Sequence, residues 1–207
     1  IVHDISYQTH PEWFPLRQRI LWQWLTQKSV RQTTKIICCS NFTKQEILNR
    51  YGKNLESKIS TLYWAAEEHF KPGDKEAAKR HIASKYRITG QFFLFVGKLF
   101  RRRNIPLLIR AFKDVSKIHP DYRLALIGSE TDGFGSEERT LRELLSKLGL
   151  QDKVSRFDYV EEQDLIAFYQ AAFCLTYPSA CEGFGFPIIE AMSCGMPVII
   201  ASMSPSV

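Results

Sequence analysis

The sequence lacks several features that would define a class of protein at once. It has no uninterrupted run of about eighteen apolar residues, so no membrane-spanning segment is predicted. It begins Ile1-Val2-His3-Asp4, with neither an initiator methionine nor a basic-then-apolar signal segment, and it ends just after an apolar run. We therefore expect both ends of the natural protein to lie outside residues 1–207.

Cysteines are few, and none of them belongs to a Cys-x-x-Cys pair. The five are Cys38, Cys39, Cys174, Cys181 and Cys194. Most stand in apolar strand or helix contexts, which is typical of free buried thiols. We therefore expect neither a disulfide framework nor a zinc site, and we predict a reducing, cytoplasmic location.

Charge is moderately unbalanced, with 28 Lys and Arg against 22 Asp and Glu, a net charge of +6. This excess is compatible with nucleic acid, acidic lipid or anionic small molecules, and composition alone does not separate the three. A chain of 207 residues is long enough to bury a core as one large domain or two small ones.

Short apolar segments alternate with helical patterns along the chain. Strands are predicted at 35–39, 58–63, 92–96, 124–127, 154–157, 173–177 and 198–201. Strands that are apolar on both faces and separated by helices indicate a doubly wound parallel sheet, an α/β, Rossmann-like fold. Ligands of such sheets bind beyond the carboxyl ends of the strands, so the loops there are the candidate sites.

Several sequence signals predict where the chain turns. Lys71-Pro72-Gly73-Asp74 is the strongest break, and we place a boundary there between domains 1–70 and 71–207. Thr43-Lys44-Gln45-Glu46 resembles a capping box that opens a helix closing at Gly52. Ser136 is a second predicted cap, for a helix ending before Gly149. A further helix is expected to bury one face formed by Leu107, Leu108, Ala111, Phe112 and Val115.

The loop after Tyr177 is the most informative segment. It places Glu182 before two glycines, Gly183 and Gly185, and Pro187 fits the first position of the helix that follows. Free backbone N–H groups at a helix start suit a phosphate or sugar hydroxyls. Glu190 lies early in that helix, within reach of the same ligand. A glycine-rich turn with two solvated glutamates remains an equal alternative on these residues alone.

A resemblance adds to this interpretation. Glu182 to Val198 resembles, without gaps, the signature of glycosyltransferase family four, the group-one family with the two-domain GT-B fold and two glutamates separated by seven residues. Phe95 to Ile109, which contains Gly97 and Lys98, resembles the V-G-R-L…K-G…L-L-I segment of that family. Cys39 to Glu46 and Val2-His3-Asp4 resemble segments of its N-terminal domain. The resemblance covers nearly all of the chain.

The resemblance implies a role for each matching position. Lys98 and Arg103 would hold the nucleotide diphosphate, although Lys98 replaces the usual Arg, and Arg103-Asn104 replaces the usual Lys-Gly. Arg101 and Arg102 are alternatives to Arg103, or else a solvated charge run. Glu190 would bind the ribose hydroxyls.

The remaining implied roles concern the sugar and the base. Glu182 would hold the transferred sugar together with backbone N–H groups of the loop Gly183, Phe184, Gly185 and Phe186. His3 would reach the sugar or its phosphate, with a structural histidine at a strand end as an equal alternative. Tyr159 and Val160 occupy the place where the base rests on backbone groups.

The family transfers a sugar from a nucleoside-diphosphate donor to a carbohydrate or lipid-linked acceptor, with retention of anomeric configuration. Its members need no metal and no cofactor, and no Asp-x-Asp metal motif occurs in this sequence. Most of an acceptor domain would precede Ile1, and the end of the donor domain would follow Val207. Residues 1–207 alone are therefore expected to be inactive.

One region fits a peripheral contact with an anionic membrane, on the inner face of the cytoplasmic membrane. Aromatic and basic residues alternate there in a predicted helix: Trp13, Phe14, Trp22, Trp24, Arg17, Arg19, Lys28 and Arg31. The alternative is that these aromatics pack inside the acceptor domain.

Other classes of protein remain open. A nucleic-acid-binding module is a rival because of the charge, but it lacks a helix-turn-helix, zinc or aromatic-platform motif, so no nucleic acid is expected. An inverting transferase, a sugar phosphorylase and a non-catalytic member are the rivals within the GT-B fold.

Overall fold

The computed structural model describes residues 1–129 and 138–201, with the backbone alone at 138–140. The predicted cap at Ser136 lies outside these residues. The described chain forms two compact units. The first contains Ile1–Ala65 and Cys181–Gly185, and the second contains the described parts of Ala66–Ala180 together with residues 186–201. The assignment of 1–70 and 71–207 to acceptor and donor domains stays a prediction.

The first unit is a small parallel sheet covered by helices. Strands β1 (Ile36–Cys38) and β2 (Ile59–Thr61) pair in parallel, and Val2 adds a parallel bridge to Cys38. The helices are α1 (Ser6–Thr9), α2 (Leu16–Gln32) and α3 (Asn41–Tyr51), with 3-10 turns at Pro11–Trp13 and Lys53–Lys58.

Helix α3 begins earlier than the predicted capping box. Ser40 is the N-cap, in an extended conformation (φ −152°, ψ 160°), and its hydroxyl accepts a hydrogen bond from the Thr43 N–H at 3.2 Å. The assignment of Thr43 as the cap is therefore wrong, because the serine three residues earlier already satisfies this N–H. The predicted end at Gly52 is confirmed, with φ 111°.

The aromatic residues of the first unit divide between its core and its surface. Phe14 and Trp22 pack edge-on against the buried Tyr7, with ring centroids 6.3 and 5.6 Å away. Trp24, by contrast, is 56% exposed on α2, and the Lys28 ammonium lies 5.3 Å from its ring centroid. Core packing therefore accounts for Phe14 and Trp22, and it does not account for Trp24.

The second unit contains a sheet in which five described strands run parallel, in the order β5-β4-β3-β6-β7. This arrangement confirms the predicted α/β fold class. Its described strands are β3 (Phe92–Val96), β4 (Arg123–Ile127), β5 (Val154–Phe157), β6 (Cys174–Tyr177) and β7 (Val198–Ile200). Its described helices are α4 (Lys75–Tyr86), α5 (Ile105–Ile118), α6 (Glu138–Leu148), α7 (Glu162–Ala171) and α8 (Phe186–Ser193).

Two helix predictions in this unit need correction. The inner face of α5 is formed by Ile105, Leu108, Ile109 and Phe112, whereas Leu107 and Ala111 are exposed. The predicted face was rotated by about one residue because it omitted Ile105, which starts the apolar stripe. Helix α8 begins at Phe186, so Pro187 occupies its second position and not its first.

Helix α4 was not predicted, and a polar cluster around one buried carboxylate joins it to α7. Asp74 caps α4 by accepting from the backbone N–H groups of its first turn. From α7, the buried carboxylate of Asp164 accepts hydrogen bonds from His81 (2.6 Å), Lys85 (2.6 Å) and Tyr86 (2.7 Å). Burial alone would raise the pKa of Asp164, but these three donors outweigh it and lower that pKa to about 2.

Candidate nucleotide-sugar site

The carboxyl ends of β3 and β4 bring two glycines into close contact in the second unit. Gly97 and Gly128 have φ values of 143° and 147°, in the region that favours glycine. A Cβ added at Gly128 would lie 2.1 Å from the Gly97 carbonyl oxygen. A side chain at Gly128 is therefore excluded by the backbone of Gly97.

The three arginines that follow are in different environments. Arg101, Arg102 and Arg103 form a 3-10 turn; Arg101 is exposed, and Arg103 is only 9% exposed. The guanidinium of Arg103 packs beside Gly97, where a Cβ would lie 3.5 Å from its Cζ. Lys98 is exposed. The structure therefore brings Arg103, and not Arg101, to the end of β3.

Two hydroxyl groups from the end of β6 hold Arg103. Its Nη1 donates to the Tyr177 hydroxyl and to Ser179 Oγ, the latter at 3.2 Å. Its Cζ lies 4.9 Å from the centroid of the Tyr177 ring, a cation–π distance. The carbonyl of Arg102 also accepts from the Ala180 N–H at 2.9 Å. Strands β3 and β6 are neighbours, so this basic turn is fixed to the start of the loop that leads to Glu182.

Asn104 explains why a residue other than glycine is tolerated after the basic turn. It adopts the left-handed conformation, with φ 54° and ψ 37°, directly before α5. Asparagine is among the side-chain-bearing residues that enter this region most readily. The departure from the Lys-Gly pattern therefore preserves the backbone shape.

Glu190 is half-buried on α8 and is held by a buried tyrosine. The Tyr169 hydroxyl of α7 donates to its carboxylate at 2.7 Å. Burial raises the pKa of Glu190, the Tyr169 hydrogen bond partly opposes this, and Glu67 adds a further raising effect. The carboxylate is therefore oriented, and one hydrogen-bond partner is already in place.

A second group of ionisable residues, formed by Glu67, His69 and Glu162, acts electrostatically on the Glu190 carboxylate. Ligand atoms of Glu67, His69 and Glu162 all lie within 4.8 Å of one another. The His69 ring is 3.7 Å from the Glu67 carboxylate and 3.3 Å from that of Glu162. The two contacts use different ring nitrogens, so the imidazole of His69 bridges the two carboxylates. A single metal ion would bind only one of these two nitrogens.

The segment Cys181–Gly185 belongs to the first unit, where it packs on the backbone of His3. A Cβ added at Gly183 would lie 2.1 Å from the His3 carbonyl oxygen. That oxygen also accepts from the Thr43 hydroxyl at 3.1 Å, and the Cys39 thiol lies 2.9 Å from it. Gly183 is thus required for a close backbone contact. Glu182 is buried in the same segment, at 4% exposure.

The His3 ring is exposed and contacts an aromatic residue that was not predicted. Trp64 meets His3 edge-on at 5.0 Å between ring centroids, and Phe184 lies 5.9 Å from Trp64. His3 and the loop that contains Glu182 are therefore brought together, through both backbone and rings. This contact is compatible with either alternative for His3.

The other predicted residues differ in accessibility. Tyr159 is exposed, whereas Val160 is buried, just before α7. Gly185 has φ 91°, and Phe186, the first residue of α8, is exposed.

Four residues that shape the site were missed: Tyr177, Ser179, Tyr169 and Trp64. Tyr177 and Ser179 had a usable signal, since they stand at the end of a predicted strand before the glutamate loop. Tyr169 and Trp64 had none, because their contacts join residues distant in sequence.

The parallel sheet and its flanking helices define an α/β protein of the Rossmann-like type. The sequence profile described as "Glycosyl transferases group 1" matches residues 69–207, and the chain belongs to this family. It is 29% identical over 203 residues to O-antigen chain mannosyltransferase B of Escherichia coli, covering 98% of this chain and 52% of that protein. It is 30% identical to O-antigen chain mannosyltransferase RfbU of Salmonella typhimurium, covering 98% and 51%.

Solved structures share the fold. The Anabaena protein Alr3699/HepE, crystallised with UDP and glucose, has a TM-score of 0.80 at 19% identity, covering 98% of this chain and 52% of that chain. The present chain thus spans about half the length of these relatives. Among the described residues, no helix is long and apolar enough to cross a membrane.

Proposed function

We propose that this chain is part of a retaining glycosyltransferase of family four that moves a sugar from a nucleoside-diphosphate donor to a carbohydrate or lipid-linked acceptor. The observation that carries the proposal is the buried Arg103, held by Tyr177 and Ser179 beside Gly97 at the end of β3. A cation fixed at the end of a parallel strand is suited to a bound diphosphate.

Lys98 and Arg103 would stabilise the leaving diphosphate. As the bond between the anomeric carbon and the phosphate oxygen breaks, the sugar gains positive charge and the diphosphate gains negative charge. Cations held in place before the reaction lower this barrier without reorganising. The planar guanidinium of Arg103 can contact two phosphate oxygens, whereas Lys98 contributes a point charge from an exposed, flexible side chain.

Glu190 would hold the ribose through the carboxylate oxygens that Tyr169 orients. Glu182 and the backbone N–H groups of Phe184, Gly185 and Phe186 would hold the transferred sugar, with His3 at the sugar or its phosphate. Tyr159 and Val160 would receive the base. We propose that the basic pair replaces a metal ion and that no cofactor takes part.

Uridine diphosphate is the first donor nucleotide to test, because the structurally similar Anabaena protein was crystallised with UDP and glucose. The names of the two O-antigen relatives make mannose the first alternative sugar. A phosphorylase or an inverting enzyme would be recognised by phosphate dependence or by the opposite anomer of the product.

The test is steady-state kinetics of the full-length protein. Lys98→Ala and Arg103→Ala are each expected to lower turnover about a hundredfold, because each removes charge that stabilises the transition state. Arg101→Ala is the matched control, and we expect it to lower turnover less than about threefold. Equal losses at Arg101 and Arg103 would contradict the assignment.

We also propose a peripheral contact with the inner, cytoplasmic face of an anionic membrane through α2. Five large apolar side chains of this helix are exposed, next to exposed Arg17 and Lys28: Leu16, Ile20, Leu21, Trp24 and Leu25. Apolar and basic groups on one helix suit the boundary of an anionic bilayer. The five cysteines are free and buried, which supports a cytoplasmic location.

Vesicle sedimentation tests this contact. Trp24→Ser combined with Lys28→Gln is expected to weaken binding to phosphatidylglycerol vesicles about tenfold or more. Ile118→Ser, which changes a 75% exposed apolar residue of α5, is the control and should bind as the unaltered protein does. If the unaltered protein, the double variant and Ile118→Ser bind vesicles equally, the membrane contact is wrong. Packing of the exposed apolar residues of α2 against protein would then be the explanation.

A further inference from the structure

A polar cavity lies within the first unit, between α2, α3 and the 3-10 turn Lys53–Lys58. Its volume is about 520 Å³, which is in the usual range of small-molecule sites. Of the residues assigned above to the donor nucleotide, the sugar or the membrane, Arg31 alone lines it. The cavity therefore needs an explanation of its own.

Three cations line this cavity: Arg31, Arg50 and Lys58. No carboxylate is among the described residues that surround it, and the ion pairs formed within the described chain include none of the three cations. Their contacts are with neutral groups. Arg50 Nε donates to the Gln8 amide oxygen at 3.2 Å, and Lys58 Nζ lies 3.5 Å from the Thr33 carbonyl oxygen.

Like charges around one cavity repel each other unless an anion or solvent compensates them. Most terminal N–H groups of the two guanidiniums make no hydrogen bond within the described residues, so they can donate to a ligand. Guanidinium groups offer paired donors whose geometry matches phosphate oxygens. The charge of the cavity thus favours a phosphate group.

The remaining lining suits a carbohydrate. Gln23, Gln27 and Asn54 offer amide groups, which both donate to and accept from sugar hydroxyls. The Gln8 amide donates to the Tyr51 hydroxyl, so this part of the wall is already ordered. The volume exceeds what a single inorganic phosphate fills, and the polar groups are spread over three elements.

We propose that this cavity binds a phosphorylated saccharide, with the phosphate on Arg31, Arg50 and Lys58 and the sugar hydroxyls on the amides. The inference stands on the geometry of the first unit alone and does not depend on transferase activity. Phosphatidylglycerol, the anionic phospholipid used as the alternative probe, offers a similar phosphate but no ring of hydroxyl groups for the amides.

Calorimetric titration of the full-length protein tests the proposal, with glucose 6-phosphate, mannose 6-phosphate, inorganic phosphate and glucose as separate probes. At least one hexose phosphate is expected to bind more tightly than inorganic phosphate, and glucose to bind weakest. Arg31→Gln and Arg50→Gln should each weaken hexose phosphate binding about tenfold, the usual effect of losing a hydrogen bond to a charged group.

Arg17→Gln is the matched control, since it removes the same charge from α2 outside the cavity. It should leave hexose phosphate binding within about twofold of the unaltered protein. If Arg50→Gln does not fold, as judged by circular dichroism, the exposed Arg31→Gln carries the test. The proposal would be overturned if no hexose phosphate binds, or if Arg17→Gln weakens binding as much as Arg31→Gln does. It would also be overturned if Arg31 contributes to binding of phosphatidylglycerol vesicles while no hexose phosphate binds.

Discussion

Single residues carry most of the geometry at the candidate site, and Gly183 is the clearest example. The structure gives a steric reason for a glycine at this position. The residue packs directly on the His3 carbonyl, where even one methyl group would overlap the backbone. The Thr43 hydroxyl and the Cys39 thiol donate to the same carbonyl oxygen.

Gly183→Ala is therefore expected to destabilise the protein by about 3 kcal/mol, at the upper end of the usual cost of overpacking, and to reduce turnover. The measurement is urea unfolding monitored by tryptophan fluorescence. Gly149→Ala is the control: it has φ 64°, but nothing lies within 4 Å of the added Cβ. We expect it to cost about 1 kcal/mol, from backbone strain alone. Equal losses of stability would show that the His3 contact is not tight.

At the scale of single residues, the sequence predicted which charged side chains belong to the site, but it did not predict the residues that contact them. The basic run Arg101, Arg102 and Arg103 was visible, and the resemblance favoured Arg103. The hydroxyls of Tyr177 and Ser179 that hold Arg103 come from a strand about 75 residues later, next to β3 only once the sheet has formed. Tyr169 and Glu190 likewise meet only through the packing of α7 and α8.

Secondary-structure elements were predicted best in the five-stranded sheet, where β3 and β5 match their predicted bounds. The segment of β3 is continuously apolar, as is typical of a strand inside a parallel sheet, whereas β5 is an edge strand in which only Val154 is buried. Elements that depend on polar anchors were predicted less well. Helix α4 has little apolar periodicity, and it is fixed by the Asp74 cap and by the contacts of His81, Lys85 and Tyr86 with Asp164.

The Asp164 cluster gives a pH-dependent prediction at the scale of elements. Its pKa is lowered from 3.8 to about 2 in the folded protein, so its stabilising effect is present above the ordinary pKa and is lost as pH falls from about 4 towards 2. Asp164→Asn is expected to lower the free energy of unfolding by about 2 kcal/mol at pH 7, because the ionised carboxylate accepts from His81, Lys85 and Tyr86 more strongly than a neutral amide does.

Denaturant unfolding at several pH values measures this effect. The difference in stability between Asp164→Asn and the unaltered protein should shrink as the pH is lowered below about 4. Asp114→Asn, which removes an exposed carboxylate paired with Lys117, should have a much smaller effect at every pH. A difference that stays constant down to pH 2 would mean that Asp164 is not the titrating group.

At the scale of the whole molecule, the resemblance predicted a group-one glycosyltransferase with an α/β fold, and the sequence profile and the parallel sheet bear out these two points. Membership of family four and retention of configuration stay predictions. The division into compact units was less visible in the sequence. Cys181–Gly185 groups with residues more than a hundred positions earlier, because Gly183 packs on the His3 backbone. A local sequence pattern cannot predict such a contact, because its two residues are far apart in the sequence and meet only in the folded chain.

The central claim is that Glu190 holds the ribose of a nucleoside diphosphate while Glu182 holds the sugar. It is tested most directly by calorimetric titration of the full-length protein with UDP, GDP and ADP, which carry no sugar to be transferred. One of the three is expected to bind, and Glu190→Gln should weaken that binding about tenfold, since a charge-assisted hydrogen bond is lost.

Glu182→Gln is the matched control in the same titration, and it should stay within about twofold of the unaltered protein. Because the pKa of Glu190 is raised by burial, nucleotide affinity should also fall as the pH is lowered through that raised value. Binding of none of the three nucleotides, or equal weakening by Glu182→Gln and Glu190→Gln, would contradict the assignment.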